Sequence, residues 1–175
     1  MRQLEKYLPP DSIHIYGQCG NRTCPGTSLE DKDGCWKMIE ENYKFYFSLE
    51  NSVCRDYVTE KIFEALKRDV VPIVLGGAEY ENILPDHSFI NMLDYKNMSQ
   101  LAEHLLLLGE NEEKYSKYFE WKTRFEVRNS KYDFNQAHCN LCQLLHDYSK
   151  SKKTSVIKDL TKWFITDSHC KRISA

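Results

Sequence analysis

The segment 44–77 constrains the fold more than any other part of the chain, because its hydrophobic pattern changes from strand to helix and back to strand. Residues 44–49 form an aromatic run, and residues 70–75 form a β-branched run that Gly76 ends. Both runs are typical of buried parallel strands. Between them, apolar residues recur with helical spacing from Asp56, which is a candidate N-cap. This βαβ order predicts an α/β class with a Rossmann-like parallel sheet.

The rest of the chain is consistent with one such domain. The alternating segment 12–17 and the short segment 88–93 predict two further strands. Helical spacing of apolar residues recurs in the second half of the chain, at 99–109 with Ser99 as its cap, at 110–124 and at 135–148. The expected organisation is therefore a Rossmann-like domain over residues 1–150 and an amphipathic C-terminal tail, 151–175, that packs back on it.

Composition excludes several classes of partner and favours one compartment. A formal net charge of −2, with 24 basic and 26 acidic residues interleaved, provides no field that would recruit nucleic acid. No apolar stretch approaches the ~20 residues that span a bilayer, so any membrane anchor is expected upstream of Met1. Seven cysteines and two N-glycosylation sequons, at Asn21 and Asn97, favour a lumenal protein.

The polar residues that follow the two central strands are expected to meet, because ligands of an open parallel sheet bind beyond the carboxyl ends of its strands. A helix beginning at Asp56 would add free N–H groups that suit a diphosphate. Tyr57, Glu60 and Lys61 would add an aromatic face, an acceptor for hydroxyls and a cation, which a nucleotide sugar requires. The alternative is that Glu60 and Lys61 form an ordinary solvated helix face. Glu50 is expected to organise the loop rather than to act chemically.

A long, ordered set of residues resembles the signature of the α1,3/4-fucosyltransferases, glycosyltransferase family 10. It begins with the run YKFYFSLENS at 43–52, continues with DYVTEK at 56–61 and VPIVLG at 71–76, and reaches Trp163. The resemblance covers roughly residues 12–164. It implies the C-terminal, Rossmann-like half of a two-domain GT-B enzyme, the half that binds GDP-fucose.

The resemblance also implies a role for individual residues of this sequence. Tyr46 and Asn51 would line the donor pocket, and Tyr57 would lie against the nucleotide sugar. Glu60 would bind the ribose, and Lys61 would contact the diphosphate. No catalytic residue can be matched, because the family's general base belongs to the N-terminal domain.

The implied activity is inverting transfer of fucose from GDP-fucose to a glycan or glycoprotein acceptor that contains GlcNAc. The family implies no obligatory metal or other cofactor, and a place in the Golgi lumen, held at the cisterna membrane by an N-terminal anchor. An arginine that contacts the diphosphate is expected before or at the start of this chain, where Arg2 is the only candidate. The chain is thus expected to be incomplete, with little or no activity of its own. The alternative is a nucleotide-sugar-binding remnant without turnover.

The cysteines allow two interpretations. Cys19, Cys24 and the Cys139-x-x-Cys142 pair could bind zinc, with Cys35 or His138 completing a set, which would make the chain a zinc-stabilised interaction module. A lumenal protein favours disulfides instead. The resemblance implies that Cys139 and Cys142 form a structural pair.

Overall fold

The centre of the fold is a three-stranded parallel sheet. The computed structural model describes residues 2–25, 33–128, 130–151 and 154–171. The strands are β1 (Phe45–Leu49), β2 (Val71–Leu75) and β3 (Ile90–Asn91), in the order β1-β2-β3. Both neighbouring pairs are parallel. The predicted α/β class with a Rossmann-like parallel sheet is therefore confirmed.

Helices connect and cover the strands. The α-helices are α1 (Gly34–Asn42), α2 (Glu60–Leu66), α3 (Met98–Glu110), α4 (Glu112–Ser116) and α5 (Ser130–Ser151). Short 3₁₀ segments lie at Leu4–Tyr7, Gly17–Cys19, Tyr80–Asn82, Met92–Asp94 and Lys117–Thr123, and a π-helical turn lies at Lys162–Thr166. No helix among the described residues has the length and apolarity that a membrane crossing requires.

The central strand β2 is buried on both faces, as its continuous apolar run predicts. Val71 and Ile73 belong to a core cluster that includes Leu101 and Leu105 of α3. The alternate residues of β2 point to the opposite face, and α2 packs against both β1 and β2. The sheet thus has a helical layer on each side, which leaves the ends of its strands for a site.

Two local predictions were wrong. Residues 12–17 do not form a strand, and their only described pairing is an isolated bridge between Tyr16 and Arg22. Alternation forms a strand only where a neighbouring strand completes the ladder, whereas here His14 and Tyr16 both hydrogen-bond the hydroxyl of Tyr43, at 2.5 and 2.6 Å.

The second wrong prediction concerns the start of α3, whose N-cap is Asn97 rather than Ser99. The Oδ1 atom of Asn97 accepts the Gln100 N–H at 3.0 Å, which satisfies an N–H group of the first helical turn. The next predicted helix, 110–124, is divided between α4 and the 3₁₀ segment Lys117–Thr123.

The chain divides into two compact units. One contains the described residues up to Phe125 together with Cys170 and Lys171, and the other is Glu126–His169. The predicted division at residue 150, and the packing of 151–175 on the domain, stay predictions.

Two disulfides join four of the cysteines, which supports the disulfide interpretation over zinc. Cys24 pairs with Cys35, and Cys54 pairs with Cys170. The first pair uses two of the proposed zinc ligands. Cys19, Cys139 and Cys142 are free and exposed, so the structural pair expected at 139 and 142 is not formed here. Those two residues lie on α5, one helical turn apart.

Candidate functional site

The ends of β1 and β2 meet at one edge of the sheet, as predicted from the parallel arrangement. β1 ends at Leu49 and β2 ends at Leu75, directly opposite each other in the register. The N–H of Glu50 donates to the Leu75 carbonyl at 3.0 Å, which keeps the chain against β2 for one more residue. The polar segments that follow both strands therefore begin at the same place.

The loop from 51 to 59 is held close to this edge by its backbone. An isolated parallel bridge joins Arg55 to Gly77, and the Cys54–Cys170 disulfide anchors the same stretch. A β-carbon placed on Gly77 would lie 2.5 Å from the Cys54 carbonyl oxygen and 2.7 Å from its carbon. Only glycine permits so close an approach of the two backbones. Gly77 thus allows the loop to lie across the end of β2.

The helix after this loop begins later than predicted. α2 starts at Glu60 with Thr59 as its N-cap residue, whereas Asp56 has a left-handed φ of 61° and cannot start a helix. Thr59 is bound by Glu50, whose Oε1 accepts the Thr59 N–H at 2.8 Å and whose Oε2 accepts the Thr59 hydroxyl at 2.8 Å. The residue before α2 is thus tied to the end of β1, and the helix begins at Glu60.

Lys61 supplies the positive charge of this edge. Its ammonium donates to the Leu49 carbonyl at 2.9 Å and to Asn51 Oδ1 at 2.7 Å, and Glu50 Oε2 lies 3.8 Å away. An ammonium has three N–H donors, and these hydrogen bonds use two of them. The side chain is 31% exposed. One donor of Lys61 is consequently available to a ligand at the sheet edge.

The five predicted donor-binding residues do not all lie together. Asn51 and Lys61 are in direct contact, and Glu60 is exposed at the first position of α2, next to Lys61. Tyr57 is half-buried in the loop, where its N–H donates to the Cys54 carbonyl at 3.3 Å. We call these four residues of the sheet edge, Asn51, Tyr57, Glu60 and Lys61, the edge cluster; the contact shown within it is the one between Asn51 and Lys61.

Tyr46 lies elsewhere. It is inside β1, opposite Pro72, and its ring packs against Trp36 of α1 with 4.8 Å between centroids. Burial raises the pKa of its hydroxyl. Tyr46 precedes Asn51 by five positions, which corresponds to about 16 Å along an extended chain. The structure therefore gives Tyr46 a packing role and does not bring it to the edge cluster.

Sequence reasoning gave no individual role to two residues that support this site. Thr59 could have been recognised, because a threonine before a helical run is a common N-cap. Tyr80 belongs to the segment 76–80, which the sequence places at the same edge, but no pattern predicts that its side chain is buried. Its side chain is fully buried, and among the described residues its hydroxyl has no hydrogen-bond partner. A β-carbon on Gly76 would collide with that hydroxyl and would lie 3.3 Å from Cγ of Glu50. Burial, and then the charge of Glu50, raises the pKa of Tyr80 to about 12.

Comparison with known proteins supports the resemblance seen in the sequence. The family model "Glycosyltransferase family 10 (fucosyltransferase) C-term" matches residues 1–163. The chain is 38% identical over 165 residues to glycoprotein 3-alpha-L-fucosyltransferase A of Drosophila melanogaster, covering 93% of this chain and 31% of that protein. It is 36% identical over 152 residues to alpha-(1,3)-fucosyltransferase C of the same fly, covering 87% of this chain and 34% of the relative.

A solved structure of an alpha1,3-fucosyltransferase with GDP-fucose aligns with a TM-score of 0.45 and 24% identity, over 62% of this chain and 30% of that one. The chain spans about a third of the length of the two Drosophila relatives. The assignment rests on the family model and on these two relatives. By both criteria the chain belongs to glycosyltransferase family 10, the fucosyltransferases, and corresponds to the C-terminal part of that family.

Proposed function

We propose that this chain is the donor-binding part of an inverting α1,3-fucosyltransferase, and that the edge cluster holds GDP-fucose. The observation that carries the proposal is the position of Lys61, whose ammonium lies at the carboxyl edge of the sheet with one N–H donor to spare. A diphosphate is a strong acceptor for such a donor. The relatives' names, which specify transfer of fucose, support a fucose donor.

Each member of the edge cluster has a proposed task. Lys61 and the amide of Asn51 bind the diphosphate, the exposed carboxylate of Glu60 accepts the ribose hydroxyls, and Tyr57 lies against the nucleotide sugar. The resemblance also assigns Tyr46 to the donor pocket. We propose instead that Tyr46 stabilises the packing of β1 on α1 through its contact with Trp36.

The proposed chemistry requires a general base in addition to the edge cluster. In inverting transfer, the acceptor oxygen bonds to the anomeric carbon of fucose as the bond from that carbon to GDP breaks. The acceptor proton passes to a general base, which we place in the part of the enzyme that relatives have beyond this chain. Lys61 offsets the negative charge that develops on the leaving GDP. We propose that no divalent cation is needed, so transfer should persist in EDTA.

We further propose a glycan acceptor that contains GlcNAc, on a glycoprotein, and a place in the Golgi lumen. Two disulfides and exposed asparagines at both sequons, Asn21 and Asn97, are compatible with an oxidising lumen. Attachment to the cisterna membrane would come from an N-terminal anchor outside this sequence.

Binding and turnover are tested separately. Calorimetric titration of the 175-residue chain with GDP should give saturable binding, and UDP should bind at least tenfold more weakly. Absence of GDP binding would remove the proposal. A chimera should join this chain to the part of glycoprotein 3-alpha-L-fucosyltransferase A of Drosophila melanogaster that this chain does not match. It should transfer labelled fucose to an N-acetyllactosamine or chitobiose-core acceptor.

A second candidate is a nucleotide-sugar-binding protein without turnover. Binding of GDP by this chain, together with an inactive chimera, would support it. Stoichiometric zinc in the purified protein would instead support the interaction module, although the Cys24–Cys35 disulfide already uses two of its ligands.

A further inference from the structure

Glu50 is the most deeply buried charged residue at the sheet edge. Its side chain is 1% exposed, although it directly follows β1 in the chain. A carboxylate is retained in such a place only if its oxygens are satisfied. Thr59 provides this, through its N–H at 2.8 Å and its hydroxyl at 3.1 and 2.8 Å from the two carboxylate oxygens.

The same contacts exclude a role for Glu50 as a base that touches the acceptor. Both carboxylate oxygens face Thr59, and the side chain is covered, so an acceptor hydroxyl has no path to it. Glu50 instead connects the end of β1 with the residue that starts α2. Lys61 lies two residues after Thr59, and its ammonium is 3.8 Å from Glu50 Oε2.

We propose that Glu50 is the positioning residue of the donor site: its carboxylate holds Thr59, and thereby places Lys61 where the ammonium can meet a diphosphate. The inference rests on the proposed function, because it concerns the binding of the same nucleotide. Ser48 reinforces the arrangement, since its hydroxyl donates to the Lys61 carbonyl at 3.3 Å. Hydrogen bonds with β1 residues thus hold both the backbone and the ammonium of Lys61.

A positioning role makes a prediction that simple support of the fold does not. Guanosine lacks the diphosphate, so it binds without help from Lys61. Glu50→Ala should weaken binding of GDP at least tenfold in calorimetric titrations and weaken binding of guanosine by a clearly smaller factor, because guanosine keeps the ribose that Glu60 accepts but has no diphosphate for Lys61. Glu50→Gln keeps an acceptor for the Thr59 N–H and should retain at least a third of the GDP affinity.

A double-mutant cycle with Lys61→Ala tests whether Glu50 acts through the ammonium. Coupled residues give non-additive effects. The double variant Glu50→Ala, Lys61→Ala should therefore bind GDP no more than twofold more weakly than Lys61→Ala. Fully additive losses would overturn the inference, because Glu50 would then act independently of Lys61.

A variant at Thr59 covers the case in which Glu50→Ala does not fold. Thr59→Val removes the hydroxyl contacts and keeps the backbone N–H, so it should weaken GDP binding at least threefold and weaken guanosine binding by a smaller factor. Unchanged GDP affinity in Thr59→Val or in a folded Glu50→Ala overturns the positioning role alone. Absence of GDP binding by the wild-type chain overturns the proposed function, and the positioning role with it.

Discussion

Lys61 and Asn51 are ten residues apart in the chain, yet the Lys61 ammonium donates to Asn51 Oδ1 at 2.7 Å. The contact joins Lys61, in the first turn of α2, to Asn51, which lies two residues after the end of β1. Because the Leu49 carbonyl accepts a second hydrogen bond from the same ammonium, the cation is held at the sheet edge before any ligand arrives. Such preorganisation reduces the conformational entropy lost on binding.

Lys61→Ala should weaken GDP binding by ~1–3 kcal/mol, the range for losing a hydrogen bond to a charged group, or ~5- to 150-fold in the dissociation constant. Lys67→Ala is the matched control, because Lys67 follows the same helix and pairs with Glu64 at 2.6 Å, away from the sheet edge. Calorimetric titration measures both variants. Equal affinities for wild type and Lys61→Ala would remove Lys61 from the site.

Gly77→Ala should destabilise the protein by ~1–3 kcal/mol, because the added carbon would overlap the Cys54 backbone. Gly109→Ala is a control for which we expect the opposite effect on stability. A β-carbon at Gly109, near the end of α3, would meet nothing within 4 Å, so alanine should raise stability by up to ~1 kcal/mol. Urea unfolding compares the two. Similar effects of both substitutions would contradict the close approach at Gly77.

Cys170→Ser should lower the free energy of unfolding by ~2–5 kcal/mol, because the Cys54–Cys170 bond has a sequence separation of 116 and restricts the unfolded chain. Cys19→Ser, at an exposed free cysteine, should have little effect. Unfolding curves measure the difference, and a non-reducing peptide map should recover a peptide that joins residues 54 and 170. Recovery of Cys54 in a different pairing would contradict this connectivity.

Stability should decrease as the pH falls below about 6.5, the ordinary pKa of histidine, with His104 as one cause. Burial, and next the charge of Lys114, lowers the pKa of His104 in the folded state. The unfolded chain therefore takes up this proton at a higher pH than the folded one, and the stabilisation present above pH 6.5 is lost as the pH falls through the folded pKa.

His104→Gln provides the measurement. The variant should show a shallower fall of unfolding free energy with decreasing pH than wild type, whatever its stability at neutral pH. Parallel curves for the two proteins would show that the proton uptake occurs at other groups.

Much of the architecture could be predicted because it depends on local patterns. The aromatic run of β1 and the β-branched run of β2 each predict a strand, and parallel pairing then requires that their carboxyl ends share an edge. Only β2 is buried as predicted, because β1 is mostly half-buried. The resemblance to family 10 likewise depends on residues in order, which need no coordinates, and the family model confirms it.

Other features are long-range and could not be derived from periodicity. The helix expected at Asp56 begins at Glu60: Asp56 has a left-handed φ, and the Glu50 carboxylate, nine residues before Thr59, holds the residue that precedes the helix. Tyr46 shares the family signature with Asn51, yet its position in the middle of β1 directs it to Trp36. Cys54 finds its partner 116 residues away.

By itself, the sequence determined that the chain has a parallel α/β sheet, that it belongs to the fucosyltransferase family, and that its polar residues gather at one edge of that sheet. These properties follow from hydrophobic spacing and residue order. Only the tertiary structure decided which of those residues meet, since a hydrogen bond between Glu50 and Thr59 or between Lys61 and Asn51 depends on how the loop is folded back. Backbone contact at Gly77 provides that fold, and no local pattern encodes it.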